Sequence, residues 1–233
     1  MTELRVADAI GAAFPGYLIA AVVATGLDGK TPWPDADADA DAGLAALESD
    51  PPPEDHPHID SWRDAYRAFG TNPKRQRPSV DALRRRLARN GKLPRITPLV
   101  DAYNVVSAAH AVPAGAFDLD AVAGDIEVRF AVGDESFTPL GEPDVTETPR
   151  QGEVIYHDAG SVLTRHWNHR DADRTKVTEA STNVVFLLET TDSAAFGDLV
   201  RESVADLADR LRSRADSVTT YWLTPDSPEA DLI

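Results

Sequence analysis

This sequence predicts an α+β fold, with helices packed on a mixed or antiparallel sheet. Three observations carry the prediction. Helical apolar spacing dominates from Ser61 to His110, the apolar period drops to two after Gly124, and a long amphipathic segment and a last strand close the chain. The 233 residues, 42% of them hydrophobic, suffice for one domain over 1–233 with a substantial core.

The elements follow in order. Ala7 to Ala13 reads as a short helix, and Tyr17 to Val23, after Pro15-Gly16, as a buried strand. Residues 31–58 form an acidic insertion rich in Pro, Asp and Ala, expected to be mobile or a solvated helix, with an Asp-Ala alternation over 35–42. Ser61-Trp-Arg-Asp64 fits a capping box that opens a helix through Phe69, closed by Gly70. Ser79 is expected to cap a second helix ending at Asn90-Gly91, with Val80, Leu83 and Leu87 on one side and Arg84, Arg85 and Arg89 on the other. Thr97-Pro98 opens a third helix that runs to about His110. Ile126, Val128 and Phe130 alternate with polar residues, and Gly152–Tyr156 and Ser161–His166 make a hairpin around Asp158-Ala-Gly160. Asn183–Glu189 is a strand, 193–214 an amphipathic helix and Ser217–Leu223 a final strand.

Composition narrows the function. The chain has no cysteine, so disulfides, thiolate zinc sites and cysteine nucleophiles are excluded. Leu18–Ala24 is too short to span a bilayer and has no basic leader before it, so no membrane association is expected and the cytosol is the simplest compartment. The net charge is −16, with 19 Arg but only four Lys, which points to a proteome adapted to high salt. The charge is uneven. Lys74 to Arg95 carries nine basic residues and one acid, net +8, while the remainder carries −24. Lys74, Arg75, Arg77, Arg84, Arg85, Arg89 and Lys92 in this block are candidate RNA contacts, because clustered cations bind phosphates. A solvated helix face paired with acidic neighbours would look the same.

One constellation stands out. Leu99-Val-Asp-Ala-Tyr-Asn104 is followed by Pro113, Phe117-Asp-Leu-Asp120, Gly124-Asp-Ile and Val128-Arg129, with Val177-Thr-Glu179 and Asn183 downstream. The order and spacing resemble the B3/B4 domain of the phenylalanyl-tRNA synthetase beta subunit over about residues 95–190. Trp62-Arg-x-x-Tyr66, Asn72-Pro73, Pro78-Ser79, Leu93-Pro94, Gly152-Glu-Val and Arg165-x-Trp-Asn-x-Arg-Asp171 extend the likeness to the stand-alone B3/B4 proteins. The resemblance implies a B3/B4-like fold, a tRNA or aminoacyl-tRNA partner, and hydrolysis of a mischarged aminoacyl-tRNA ester, an acyl transfer to water. It also implies a Thr and a His in the amino-acid pocket. Tyr103 and Gly115 stand at those positions here, and no Gly-Gly-Glu precedes Val177, which weakens tyrosine-specific editing.

Arg165 to Thr175 is the independent site candidate, because it lies at a strand end where loops carry chemistry. His169 and Asp171 are candidate catalytic residues, as general base or water-orienting group. Arg165 and Arg170 suit a phosphate or carboxylate, and Trp167 an adenine face. Tyr103, Asn104, Gly115, Asn168 and Thr175 complete the candidate substrate-binding set. The same segment also reads as a buried polar network with Trp167 in the core. His166, His169 and Asp171 do not set two imidazoles on one centre, so no metal site is expected. No P-loop, dinucleotide fingerprint or nucleophile elbow is present, and no cofactor is expected. A non-catalytic RNA-binding module and a pocket protein for an amino-acid-like molecule are the alternatives to a deacylase.

Overall fold

The computed structural model describes residues 2–28 and 34–233, so residues 31–33 of the acidic insertion lie outside the described part. The elements run β1 (Glu3–Val6), α1 (Asp8–Ala13), β2 (Leu18–Thr25), α2 (Pro34–Ser49), α3 (Pro57–Ala68), α4 (Ser79–Asn90), α5 (Pro98–His110), β3 (Ala114–Asp118), β4 (Ile126–Phe130), β5 (Val154–His157), β6 (Val162–Arg165), β7 (Arg170–Asp171), β8 (Val184–Thr190), α6 (Ser193–Arg212), β9 (Ser217–Leu223) and β10 (Glu229–Asp231). The class is α+β, as the periodicity predicts.

Two sheets face each other. One is mixed, in the order β10-β1-β4-β5-β6-β7, and the other is antiparallel, in the order β3-β8-β2-β9. Alternation sorts the side chains of the antiparallel sheet. Ile19, Ala21 and Val23 of β2 and Val185 and Leu187 of β8 meet Leu4, Val128, Tyr156 and Leu163 of the mixed sheet in one core. Leu18, Ala20, Val22, Val184, Phe186 and Leu188 point the other way, onto Leu99 and Val106 of α5 and Val200, Leu207 and Leu211 of α6. The layers are therefore sheet, sheet, helices. This explains why β2 and β8 are unbroken apolar runs: both their faces are covered.

Several local expectations shift. α3 begins at Pro57 rather than Ser61, because His56 accepts the His58 N–H (3.2 Å) as N-cap and Pro57 is preset for the first turn. Ser61 instead donates from mid-helix to the His58 carbonyl (2.8 Å). Pro78, not Ser79, is the N-cap of α4, and Ser79 is its first helical residue. Thr97 caps α5 by accepting from Val100 N–H, and Gly91 ends α4 in the left-handed conformation (φ 64°), both as expected. The Asp-Ala alternation lies within helical α2, and its Leu44 packs on Leu87, Leu93, Val105 and Ala108. The short strands β1, β3, β7 and β10 are additional to the elements expected from the sequence.

Candidate functional site

A cavity of about 50 Å³ opens where the two sheets diverge. Its walls are Gly115 and Phe117 of β3, Leu187 and Glu189 of β8, Tyr156 and Thr164 of β5 and β6, the turn Trp167-Asn-His169, Asp171 of β7, and Ser79 at the start of α4.

The turn between β6 and β7 supplies Trp167, Asn168 and His169 to it. His166 and Trp167 are both left-handed (φ 49° and 68°), a conformation that bulky L-residues rarely adopt and that costs about 1–3 kcal/mol each. Burial offsets this. The Trp167 indole is fully enclosed, edge-on to Phe14 (5.0 Å) and Trp62 (5.2 Å), and its Nε1 donates to Glu189 Oε2. Trp167 is thus part of the cavity wall, and the stacking role expected for it on an adenine fails because no face is open. The same turn presents Asn168, whose carbonyl accepts the Ser79 N–H (3.1 Å), tying the turn to α4.

Two carboxyls share the cavity, and among the described residues no Arg or Lys bonds to either. Glu189, 3% exposed, accepts from Tyr156 Oη (2.8 Å) and from Trp167, both on Oε2. Burial raises its pKa to about 7, against the pull of those hydrogen bonds. Asp171 accepts from Thr164 Oγ1 (2.8 Å), and burial raises it to about 6. His169 hydrogen-bonds through Nδ1 to the Arg77 carbonyl (2.8 Å), and burial lowers its pKa, which favours the neutral ring. A near-neutral carboxyl in a cavity is suited to accept or return a proton.

The structure brings together Gly115, Trp167, Asn168, His169 and Asp171 from the expected set. The others point elsewhere. Tyr103 packs edge-on against Phe186 (6.1 Å) on the helix side of the antiparallel sheet, and Asn104 lies half-buried on α5, outside the cavity lining. Arg165 is committed to the buried Glu153 carboxylate in a bidentate pair (2.9 and 2.8 Å) and to Glu147, so it is a strut rather than an anion receptor. Arg170 pairs with Glu142 and Glu147. Thr175 is buried and gives its carbonyl to the Asp118 N–H (3.0 Å), outside the cavity.

The basic block divides similarly. Arg84 is 3% exposed and donates to the Ala108 (2.8 Å), Ala109 (3.1 Å) and Pro53 (3.1 Å) carbonyls. It holds the end of α5 and presents no charge to a partner, which corrects its assignment as an RNA contact. Arg77 and Arg85 converge with Arg63 on the buried Asp81. Lys74, Arg75, Arg89 and Lys92 remain exposed. Arg63, Arg67, Lys74, Arg77 and Arg85 line a second hollow of about 190 Å³. Only Pro78 separates Arg77, in that hollow, from Ser79, in the carboxyl cavity.

Glu189, Tyr156, Thr164 and Ser79 were not among the site residues expected from sequence. Glu189 had a visible signal: it continues the alternation of Val185 and Leu187, which puts a carboxylate on a face made for apolar residues.

These features define an α+β domain of two facing sheets with an acid-lined cavity at their junction. Residues 61–212 match the B3/4 domain, and the chain belongs to that family. An N-terminal fragment of the phenylalanyl-tRNA synthetase beta subunit from Pyrococcus horikoshii is similar in structure, with 16% identity, a TM-score of 0.42, and 87% of this chain and 48% of that one covered. This chain thus spans about half the length of that fragment. No curated protein matches it. Among the described residues, no helix is long and apolar enough to cross a membrane.

Proposed function

We propose that this chain is a cytosolic domain that binds the aminoacylated end of a tRNA and hydrolyses a mischarged aminoacyl ester. The observation that supports it most is a carboxyl titrating near neutrality, Asp171, in a cavity that also contains Gly115, the position matching the family His. In this reading Asp171 takes a proton from a water as the water oxygen attacks the ester carbonyl. The carbon–oxygen bond to the ribose then breaks, and the proton returns to the leaving ribose oxygen. In this reading the basic hollow of Arg63, Arg67, Lys74, Arg77 and Arg85 receives the terminal phosphates, whose contacts position the chain end.

The test is deacylation of several mischarged tRNAs, run at molar salt because the Lys-poor acidic surface supports a high-salt setting. Turnover is expected, and Asp171→Asn should lower it at least about 100-fold with the circular dichroism spectrum unchanged. Absence of turnover on every acyl group tested would defeat the hydrolytic reading. The loss of Thr and His at Tyr103 and Gly115 favours a second reading, a non-catalytic binding module. That reading requires tRNA binding that weakens when Lys74, Arg75, Arg89 and Lys92 are replaced by Ala, with a correspondingly shallower salt dependence.

A further inference from the structure

The two sheets end in four edge strands, and three of them are short or buried. β7 is two residues long and both carry charge, β10 is three residues long with Glu229 and Asp231, and β3 is mostly buried. β9 is different. It pairs with β2 through seven residues, Ser217 to Leu223, and among the described residues no strand pairs with its other side. Its exposure agrees. Ser217, Thr219 and Trp222 are exposed and only Leu223 is buried, whereas every residue of the inner strand β8 is buried. Alternate residues of β9 thus aim N–H and C=O groups away from β2. Native edges are usually blunted by Lys, Pro, a bulge or an inward charge. Ser217-Val-Thr-Thr-Tyr-Trp-Leu223 contains no charge, no Pro and no Gly, its Val, Thr, Tyr and Trp favour strands, and its register with β2 is unbroken. Such an edge is a template for one more strand.

Charge and self-complementarity select the occupant. The chain carries −16, so two copies repel unless they meet where neither is charged, and β9 is a run of seven uncharged residues. Antiparallel pairing of β9 with itself about a two-fold axis at Thr220 presents the same surface from both sides. It sets Val218 of each copy opposite Trp222 of the other, and Thr219 opposite Tyr221. Val218, Thr220 and Trp222 share the face toward the helices, because they stand beside Ala24, Val22 and Ala20 of β2, which point there. On that face the Arg201 guanidinium of α6 lies over the Trp222 ring (5.9 Å). An aromatic ring against a β-branched side chain is a favourable cross-strand pair. Seven paired residues add about six to eight backbone hydrogen bonds, according to which alternate residues face outward.

We propose that β9 is a dimerisation edge, on which a second copy of this chain adds its own β9 antiparallel, so that two four-stranded sheets join into one of eight strands. The inference does not depend on the function proposed above. The carboxyl cavity is lined from β3 and β8, on the other side of β2 from β9, so both cavities stay open in the dimer. Salt screens the repulsion between two acidic copies, so the dimer tightens as salt rises, opposite to the response of a phosphate contact.

The test is sedimentation of the full chain, followed by cross-linking that exploits its lack of cysteine. At about 100 μM in molar salt the chain should sediment as a dimer, with a Kd at least about tenfold weaker at low salt. Thr220→Cys sets two sulfurs across the axis, with Cα atoms about 4.5–5.5 Å apart and within disulfide reach, so mild oxidation should link it into covalent dimers. Trp222→Cys is the control, because the same register holds its two copies about 14 Å apart along the strands. Thr220→Asp faces two carboxylates across the axis and should give a monomer with an unchanged circular dichroism spectrum. A wild-type monomer in molar salt, the result expected if an extended peptide of another protein takes the edge instead, would overturn the proposal. So would a dimer that cross-links no better through Thr220→Cys than through Trp222→Cys.

Discussion

Replacing Glu189 by Gln should make the stability of this protein less sensitive to pH. Burial raises the folded-state pKa of Glu189 from 4.5 to about 7. Between those values the folded chain binds more protons than the unfolded one, so wild-type stability falls as pH rises through the window. Each tenfold change in a protonation constant is worth about 1.4 kcal/mol, which makes ionising Glu189 in the fold about 3 kcal/mol more costly than in the unfolded chain. Part of this is already lost at pH 5, leaving about 2 kcal/mol between pH 5 and pH 8. Gln carries no such proton. Its carbonyl can still accept from Tyr156 and Trp167, which both bond a single oxygen, and its amide nitrogen would face the cavity. Asp171, whose charge also raises Glu189, keeps its own burial-driven shift in both proteins. The assay is urea denaturation of wild type and Glu189→Gln at pH 5 and pH 8. The variant should gain about 2 kcal/mol relative to wild type over that interval. A stability difference that stays constant with pH, or moves against the variant at pH 8, would refute the assignment of a raised carboxyl.

Two further perturbations probe the frame around the site. Arg84→Met removes three hydrogen bonds to backbone carbonyls and should cost about 2–4 kcal/mol in denaturant unfolding; weaker tRNA binding from an equally stable protein would instead restore Arg84 as a contact residue. Gly115→Ala meets no atom within 4 Å of the new Cβ, so stability in denaturant unfolding should change by less than about 1 kcal/mol; a large loss of stability would show that the strand tolerates only glycine there.

Much of the frame was legible residue by residue. Tyr17–Val23 and Asn183–Glu189 read as strands, and Thr97-Pro98 and Asn90-Gly91 mark helix ends through their preferred backbone angles. The members of the Arg165–Thr175 candidate segment separate in the structure: Asn168, His169 and Asp171 line the cavity while Arg165 and Arg170 are taken up by Glu153, Glu147 and Glu142. A charge count cannot distinguish an arginine free to meet a phosphate from Arg84, which closes a helix end.

The division between sequence and structure follows from range. Periodicity, caps and turn residues act over a few residues, so the sequence alone determined the α+β class, most element positions and the family motifs. Which carboxyls share a cavity depends on contacts between segments far apart in the chain. Glu189 meets Tyr156 and Trp167, and Asn168 meets Tyr66 across 102 positions, only after two sheets have stacked. Burial then sets the protonation of Asp171 and Glu189, because removing a carboxylate from water raises its pKa whatever its neighbours in sequence.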